Sequence, residues 1–216
     1  MFKPSKKDKL LHKLDELSRP FLANFRRRKL KNTDFTIISN NCWGGICYEY
    51  FGLIKQSPTV GTFFFAEDYL KFVKRLKYYL SLELRFINSD ESKHSSYLKE
   101  NEIKCPIGIL DDVEIFFLHY PNELLAKEKW NRRVRRINWN HLLFKFSQMN
   151  ECSDECLKKF DEMNLPGKKF MFVNKLNMEY SCSVYYPGYE TDLQIENDTF
   201  FWNKYINVFD LINSSR

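Results

Sequence analysis

A cysteine and two glycines directly follow the first apolar run of the chain, and together they could support nucleophilic chemistry. Residues 35–38 (FTII) are typical of a buried strand, and residues 39–45 (SNNCWGG) lead into a predicted helix. Amides in a first helical turn lack intrahelical partners, and the dipole there lowers the pKa of a nearby thiol. We therefore expect Cys42 to be a nucleophile and the amides of Trp43, Gly44 and Gly45 to bind an oxyanion.

The turn that carries Cys42 is also a candidate ligand site. It lies at the carboxyl end of a predicted strand, which is where open α/β sheets bind their ligands. Asn40 and Asn41 offer amide groups for an oxyanion or for sugar hydroxyls. The alternative is structural: Cys42 is a small core residue and the glycines only permit a tight turn.

His119 is the candidate general base for Cys42. It ends the predicted strand 113–118 and begins a loop, where α/β enzymes place catalytic side chains. Asp111 or Asp112 could orient its imidazole as a third member, or could cap the turn before the strand. The remaining histidines fall in an N-terminal arm, a polar loop and a strand start, and they are His12, His94 and His141.

A cluster of arginines follows at the end of the helix predicted over 122–136. Cations three and four positions apart share a helix face and can grip a phosphate or carboxylate. The candidate anion-binding residues are Trp130, Arg132, Arg133, Arg136 and Asn138. The alternative is a cationic last turn that the helix dipole favours, with some arginines paired to nearby acids.

Residues 1–31 form a basic, amphipathic arm. Eleven Lys and Arg against three acids give this segment a charge of +8, so the rest of the chain, at −2, is nearly neutral. Its apolar residues recur at helical spacing, at Leu10, Leu11, Leu14, Leu17, Phe21, Leu22 and Phe25. Such a helix can lie on an anionic membrane. Docking on its own domain with solvated lysines is more common and is preferred here, with a break expected at Pro20.

The elements that must position these residues alternate between strands and helices. This order predicts an α/β fold with a mostly parallel sheet and helices on both faces. The arm would cover 1–33 and a single α/β domain 34–216. Further strands are predicted at 61–65, 82–87, 142–146, 169–173 and 182–185, and helices at 66–81, 153–163 and 199–212. Residues 88–101 are expected to be a polar, mobile loop.

Composition excludes several protein classes. The chain has 216 residues, 44% of them hydrophobic, but no apolar stretch of the ~18–20 residues that a membrane span needs. No secretory signal is visible, so the six cysteines are expected to be free thiols in the cytoplasm. Cys152 and Cys156 could supply only two ligands to a metal. Neither a metal nor an organic cofactor is expected.

Several motifs together resemble a family of bacterial proteins. They occur in one order, as 39–45 (SNNCWGG), 57–59 (SPT), 106–108 (PIG), 119–120 (HY), 130–133 (WNRR) and 136–138 (RIN). The family is often labelled exopolysaccharide or capsular polysaccharide biosynthesis protein, and the resemblance covers about residues 34–212. It implies an α/β fold and a setting among surface-glycan genes. It implies no particular reaction.

Three kinds of function remain open. The first is a cysteine–histidine transferase or hydrolase that acts on a glycan-linked or nucleotide-sugar substrate. The second is a non-catalytic module that binds an anionic sugar through the same residues. The third is a membrane-surface or nucleic-acid binder that uses the basic arm. The expected ligand is a sugar, a nucleotide sugar or a phospholipid carrier, and nucleic acid is not expected. The expected location is the cytoplasm, with peripheral contact at the inner membrane face through 1–31.

Overall fold

The computed structural model describes residues 4–176 and 179–214. Its strands are β1 (Thr36–Ser39), β2 (Arg85–Ile87), β3 (Ile107–Leu110), β4 (Val113–Phe116), β5 (Leu142–Ser147), β6 (Lys168–Val173) and β7 (Ser183–Tyr185). Its helices are α1 (Lys6–Arg27), α2 (Trp43–Phe51), α3 (Ala66–Lys74), α4 (Leu76–Ser81), α5 (Ser95–Glu100), α6 (Glu123–Val134), α7 (Asp154–Glu162) and α8 (Val208–Asn213).

The central sheet has four strands in the order β1-β5-β6-β7, and every pair is parallel. Successive residues of a strand point to opposite faces, so Ile37 and Ile38 enter two different cores. The core on one face includes α3, α6 and α7, and that on the other includes α2 and α8. The α/β fold with helices on both faces of a mostly parallel sheet is confirmed.

Two strands that the sequence predicted for this sheet, at 82–87 and 113–118, lie elsewhere. They form β2 and β4 of a separate antiparallel sheet in the order β2-β3-β4, in which β3 was not predicted. The physical reason is the two-residue turn between β3 and β4, where Asp111 has φ +56° and reverses the chain. The predicted strand 61–65 adds only one bridge to this sheet, between Phe63 and Phe116. His119 therefore leaves the antiparallel sheet, not the parallel one.

Three other predicted elements also differ. The helix predicted over 66–81 is interrupted at Arg75, whose φ of −126° and ψ of 40° are not helical. The helix predicted over 199–212 forms only as α8, because the Asn207 side chain caps a new start at Phe209 and Asp210. The predicted loop 88–101 contains α5.

Helix α1 docks on α2 through its charged face. Arg27 Nη1 donates to the Gly52 carbonyl at 3.1 Å, and the Arg26 guanidinium lies 3.8 Å from the Tyr50 ring centre. Arg19 and Ala23 are buried on either side of Pro20, and the helix continues through the proline instead of breaking. The apolar residues at helical spacing are exposed on the opposite face. The arm thus docks on its own domain, but with the reverse orientation from that expected.

Among the described residues, no helix has the length and hydropathy needed to span a bilayer.

Gly167 is required where the turn before β6 passes β5. A Cβ on this residue would lie 2.2 Å from the Leu142 carbonyl oxygen, and backbone cannot move aside cheaply. Gly167→Ala is expected to lower the free energy of unfolding by about 1–3 kcal/mol, as overpacking does. Urea unfolding checks this, with exposed Asn164→Ala as the control. Equal midpoints for the two variants would contradict the steric argument.

Candidate functional site

Cys42 and His119 meet although they come from different sheets. Cys42 follows β1, and His119 follows β4, with 3.1 Å between Cys42 Sγ and His119 Nε2. The His119 loop is held on the loop before Phe63, because the His119 amide donates to the Gly61 carbonyl at 3.2 Å. Cys42 is half-buried and His119 is exposed, so solvent reaches the pair. A sulfur and an imidazole at this distance can exchange a proton directly.

The pair opens onto a cavity of about 510 Å³ between α1, α2 and α6. Its charged lining residues are Glu16, Arg19, Glu49, Lys55, Lys129 and Arg133, together with His12. Arg19 lies 3.7 Å from Glu49, and Lys55 lies 2.6 Å from the same carboxylate. Because Arg19 and Lys55 are paired with Glu49, the unpaired positive charge of the cavity lies on its α6 side.

Lys129 and Arg133 form that positive end. They are one turn apart on α6, and neither makes an ion pair with any residue in the described ranges. Arg133 Nη1 donates to the Val60 carbonyl at 2.9 Å and also bonds the Tyr120 hydroxyl, which fixes the guanidinium. Two cations on one helix face suit a phosphate or carboxylate group.

The Cys42 thiol is neutral at neutral pH. Burial raises its pKa to about 11, and the Asp198 carboxylate raises it further than Lys145 lowers it. The sequence predicted a lowered pKa from the helix dipole, and the structure gives the opposite direction because desolvation dominates. A nucleophilic role for this sulfur therefore requires a base, and His119 is in contact with it.

The three amides of the expected oxyanion site are not equivalent. The Trp43 amide donates to Asn41 Oδ1 at 3.2 Å, and the Gly45 amide donates to the Cys42 carbonyl at 3.0 Å. The Gly44 amide has no hydrogen-bond partner in the part of the chain that the structure describes. Gly44 is buried and does not line the cavity, whereas Gly45 lines it, so none of these three amides is both unpaired and open to the cavity.

Asn40 and Asn41 are buried beneath the site and hold its loop. Asn40 Nδ2 donates to the Ser147 carbonyl at 3.1 Å, and Asn41 Nδ2 donates to Asp198 Oδ1 at 2.7 Å. Lys145 Nζ donates to Asn41 Oδ1 at 2.8 Å and pairs with Asp198, both side chains being fully buried. The asparagines thus position the Cys42 turn and do not line the cavity.

The five predicted anion-binding residues do not share one site. Arg132 pairs with Glu128 at 3.2 Å, and Arg136 is exposed at the helix end. Trp130 is only 2% exposed and packs in the core beside Phe72 and Phe117. Asn138 Nδ2 donates to the Asp34 carbonyl at 2.9 Å, before the start of β1 and away from Cys42. Arg133 is the one that lines the cavity.

The other sequence candidates are also resolved by their contacts. Asp111 accepts from the Tyr78 hydroxyl, and Asp112 accepts from Lys71 and Tyr79, so neither orients His119. In the described ranges, no three His, Cys, Asp or Glu side chains are grouped to hold a metal ion.

Several residues of the site were not expected from the sequence. They are His12, Arg19, Tyr120, Lys129, Lys145 and Asp198. Lys145 could have been identified from the sequence, because a lysine inside the apolar run 142–146 (LLFKF) predicts a buried acidic partner. Its partner Asp198 comes from a segment without regular structure, which gave no such signal.

Comparison with known proteins places the chain in a family. Residues 13–214 match the family described as Domain of unknown function (DUF1919). An uncharacterized protein of Haemophilus influenzae is similar, at 28% identity over 209 residues that cover 94% of this chain and 95% of that protein. The matched region includes most of α1, which the motif resemblance had left outside. The chain belongs to the DUF1919 family.

Proposed function

We propose that the protein is a thiol-dependent acyl transferase or hydrolase, with Cys42 as nucleophile and His119 as general base. The observation that carries this proposal is the 3.1 Å contact between Cys42 Sγ and His119 Nε2 at the edge of a cavity. Neither the Cys42 nor the His119 side chain makes a structural contact that would prevent the reaction. Cys42 Sγ otherwise lies 4.0 Å from the Thr62 carbonyl.

The reaction follows from the protonation state of the resting pair. His119 Nε2 takes the thiol proton while Cys42 Sγ forms a bond to the substrate carbonyl carbon. The carbonyl oxygen becomes an oxyanion beside the first turn of α2, where the positive end of the helix dipole stabilises the charge. The carbon–leaving-group bond then breaks, the leaving group takes the proton from His119, and a thioester remains. Water or an acceptor hydroxyl then gives its proton to His119 and bonds to the thioester carbon, the carbon–sulfur bond breaks, and Cys42 Sγ takes the proton back from His119.

For the substrate, we propose an anionic glycan-linked group, a nucleotide sugar or a lipid-phosphate carrier. Lys129 and Arg133 support this class, because they leave a positive end on the cavity wall. The motif resemblance to surface-polysaccharide proteins supports the same class. The acyl group would be transferred to or from the sugar, with the phosphate held at α6.

Thioester formation on Cys42 tests the proposal. We expect acylation by p-nitrophenyl acetate to appear as one added acetyl group in intact-mass spectra and to vanish in Cys42→Ala. Cys105→Ser is the matched control, since Cys105 is equally half-buried but away from the cavity. Both variants should also carry Cys156→Ser, because hydrogen bonding lowers the pKa of the Cys156 thiol to about 7. The acylation measured then does not include this thiol. Equal acylation of the Cys42→Ala variant would refute the assignment.

A second function, non-catalytic binding of an anionic sugar, is favoured by one observation. The pKa of Cys42, raised to about 11, leaves a poor nucleophile unless His119 acts. Under this alternative, the cavity retains its ligand but no thioester forms. The absence of acylation together with tight nucleotide-sugar binding would favour it.

Both functions require the α6 cations. Lys129→Gln and Arg133→Gln are each expected to weaken binding of a nucleoside diphosphate sugar by about 10- to 100-fold, because a charged hydrogen bond is lost. Thermal shift against ligand concentration gives the affinity. Lys127→Gln is the control on the same helix, since Lys127 pairs with Glu83 at 2.7 Å outside the cavity. Equal weakening by all three would show a nonspecific charge effect instead.

A further inference from the structure

We propose that α1 is a docking surface for an anionic lipid bilayer. Its residues Leu10, Leu14, Leu17, Phe21 and Phe25 recur at spacings of three and four and lie along one face. Phe21 is 84% exposed and Leu17 is 60% exposed. Leu11 and Leu22 extend the same exposed surface. A continuous apolar stripe of this kind indicates an interaction surface rather than scattered exposure.

The stripe has no partner within the described chain because the opposite face of α1 is already docked. Asp15 accepts two hydrogen bonds from Arg19, at 2.9 and 3.0 Å, and lies 3.7 Å from Arg26. Trp202 Nε1 lies 3.4 Å from the same carboxylate. Turning the stripe inward would break the contacts that join this face to the rest of the domain, which are Trp202 with Asp15, Arg27 with the Gly52 carbonyl and Arg26 with the Tyr50 ring. The apolar face of α1 therefore points away from the rest of the domain.

The positive charge of α1 indicates which kind of partner binds the apolar stripe. Lys6, Lys9 and Lys13 are exposed on the same helix and make no ion pair with any described residue. Residues 1–31 carry a net charge of +8, which would repel the same segment of a second copy. Anionic lipid headgroups complement this charge, while acyl chains accept the leucines and phenylalanines. A basic helix with an apolar face is the arrangement that binds in the plane of a bilayer surface.

Docking would also place the cavity beside the membrane. The charged face of α1 lines that cavity through His12, Glu16 and Arg19. One helix thus has its apolar side toward the bilayer and its polar side toward Cys42. A lipid-carried substrate could then enter without leaving the surface, a consequence that rests on the proposed function. Membrane docking itself does not depend on the chemistry at Cys42.

Vesicle co-sedimentation of the full chain tests the docking surface. We expect binding to phosphatidylcholine vesicles that contain phosphatidylglycerol, and at least about tenfold weaker binding to phosphatidylcholine alone. Leu17→Asp/Phe21→Asp should weaken binding at least about tenfold, and Lys6→Glu/Lys13→Glu, which lowers the charge of residues 1–31 from +8 to +4, should reduce its salt sensitivity. Leu193→Asp is the control, because Leu193 is 94% exposed outside α1. All these sites are exposed, so folding is retained, and circular dichroism verifies it.

Two results would overturn the docking proposal. One is the absence of binding to the mixed vesicles, or binding that the α1 variants leave unchanged. The other is a dimer in light scattering that dissociates in Leu17→Asp/Phe21→Asp, which would assign the stripe to a second copy. Neither readout involves acylation of Cys42, so failure here is distinct from failure of the proposed enzymatic function.

Discussion

His119→Ala is expected to slow acylation of Cys42 by about 10²- to 10⁴-fold at neutral pH, the usual contribution of a positioned general base. The pKa of Cys42 is raised to about 11, so only a small fraction of the sulfur is thiolate without assistance. In the native chain, His119 Nε2 lies 3.1 Å from the sulfur and takes its proton as the bond forms. Stopped-flow release of p-nitrophenol measures the rate.

The pH profile separates this role from a structural one. In His119→Ala, we expect the rate to rise about tenfold per pH unit until the pH nears the thiol pKa of about 11, because only thiolate reacts. The native rate should rise much less steeply with pH, since His119 accepts the thiol proton directly and free thiolate is not needed. His141→Ala is the control, because His141 contacts Asn32 and Asn138 away from the cavity. Parallel profiles for the native and His119→Ala proteins would exclude general-base catalysis.

The sequence predicted the parallel sheet well because its signals were local. Residues 35–38 and 142–146 are predominantly apolar segments, and they supply most of β1 and β5, which pair in parallel. Each of these strands is buried on both faces, which is what such runs indicate. The same reasoning placed Cys42 at a carboxyl edge.

The second sheet shows where local signals were insufficient. Residues 113–116 are as apolar as β1, yet they pair with 107–110 across a tight turn. A buried run does not reveal whether its neighbour is parallel or antiparallel. His119 was expected to reach Cys42 along one sheet edge, and it does so from a different sheet. The contact between Cys42 and His119 depends on the hydrogen bonds made by Gly61 and Tyr120. The hydrophobic periodicity of the sequence does not predict these bonds.

The orientation of α1 could not be predicted from its pattern for a related reason. Hydrophobic spacing identifies the two faces of a helix but assumes that the apolar face is the buried one. Here the buried face is fixed by charged contacts with α2 and its end, such as Arg19 with Glu49 and Arg27 with the Gly52 carbonyl. Those partners are specific to the tertiary structure, so the helix was predicted correctly and its docking was not.

The largest expected effect on stability is that of Asp198→Asn, which should lower the free energy of unfolding by about 3–5 kcal/mol at neutral pH. Asp198 pairs with Lys145, accepts from the Asn41 amide at 2.7 Å and binds the Ser147 hydroxyl, and all four side chains are buried. The variant would leave the Lys145 ammonium in the interior without an opposite charge. Urea unfolding measures the loss, with exposed Glu196→Gln as the neighbouring control.

The pH dependence of the stability loss shows whether the unpaired Lys145 charge causes it. Burial lowers the pKa of Lys145, and the Asp198 carboxylate opposes that shift, so removing the carboxylate lowers this pKa further. Between the folded and unfolded pKa values of Lys145, the unfolded chain binds more protons, and stability rises with pH. The deficit of Asp198→Asn should therefore shrink as the pH approaches 10, while that of Gly167→Ala should stay constant.

A double variant then tests whether the buried charge, rather than the shape of the site, causes the loss. Lys145→Met/Asp198→Asn removes both charges and should recover part of the stability that Asp198→Asn loses, because no unpaired ion remains. A loss that is independent of pH and additive in the double variant would show that the carboxylate acts only through packing. Because Asn41 holds both Asp198 and the turn that carries Cys42, a charge-dependent loss would also link the integrity of the buried pair to the position of the sulfur.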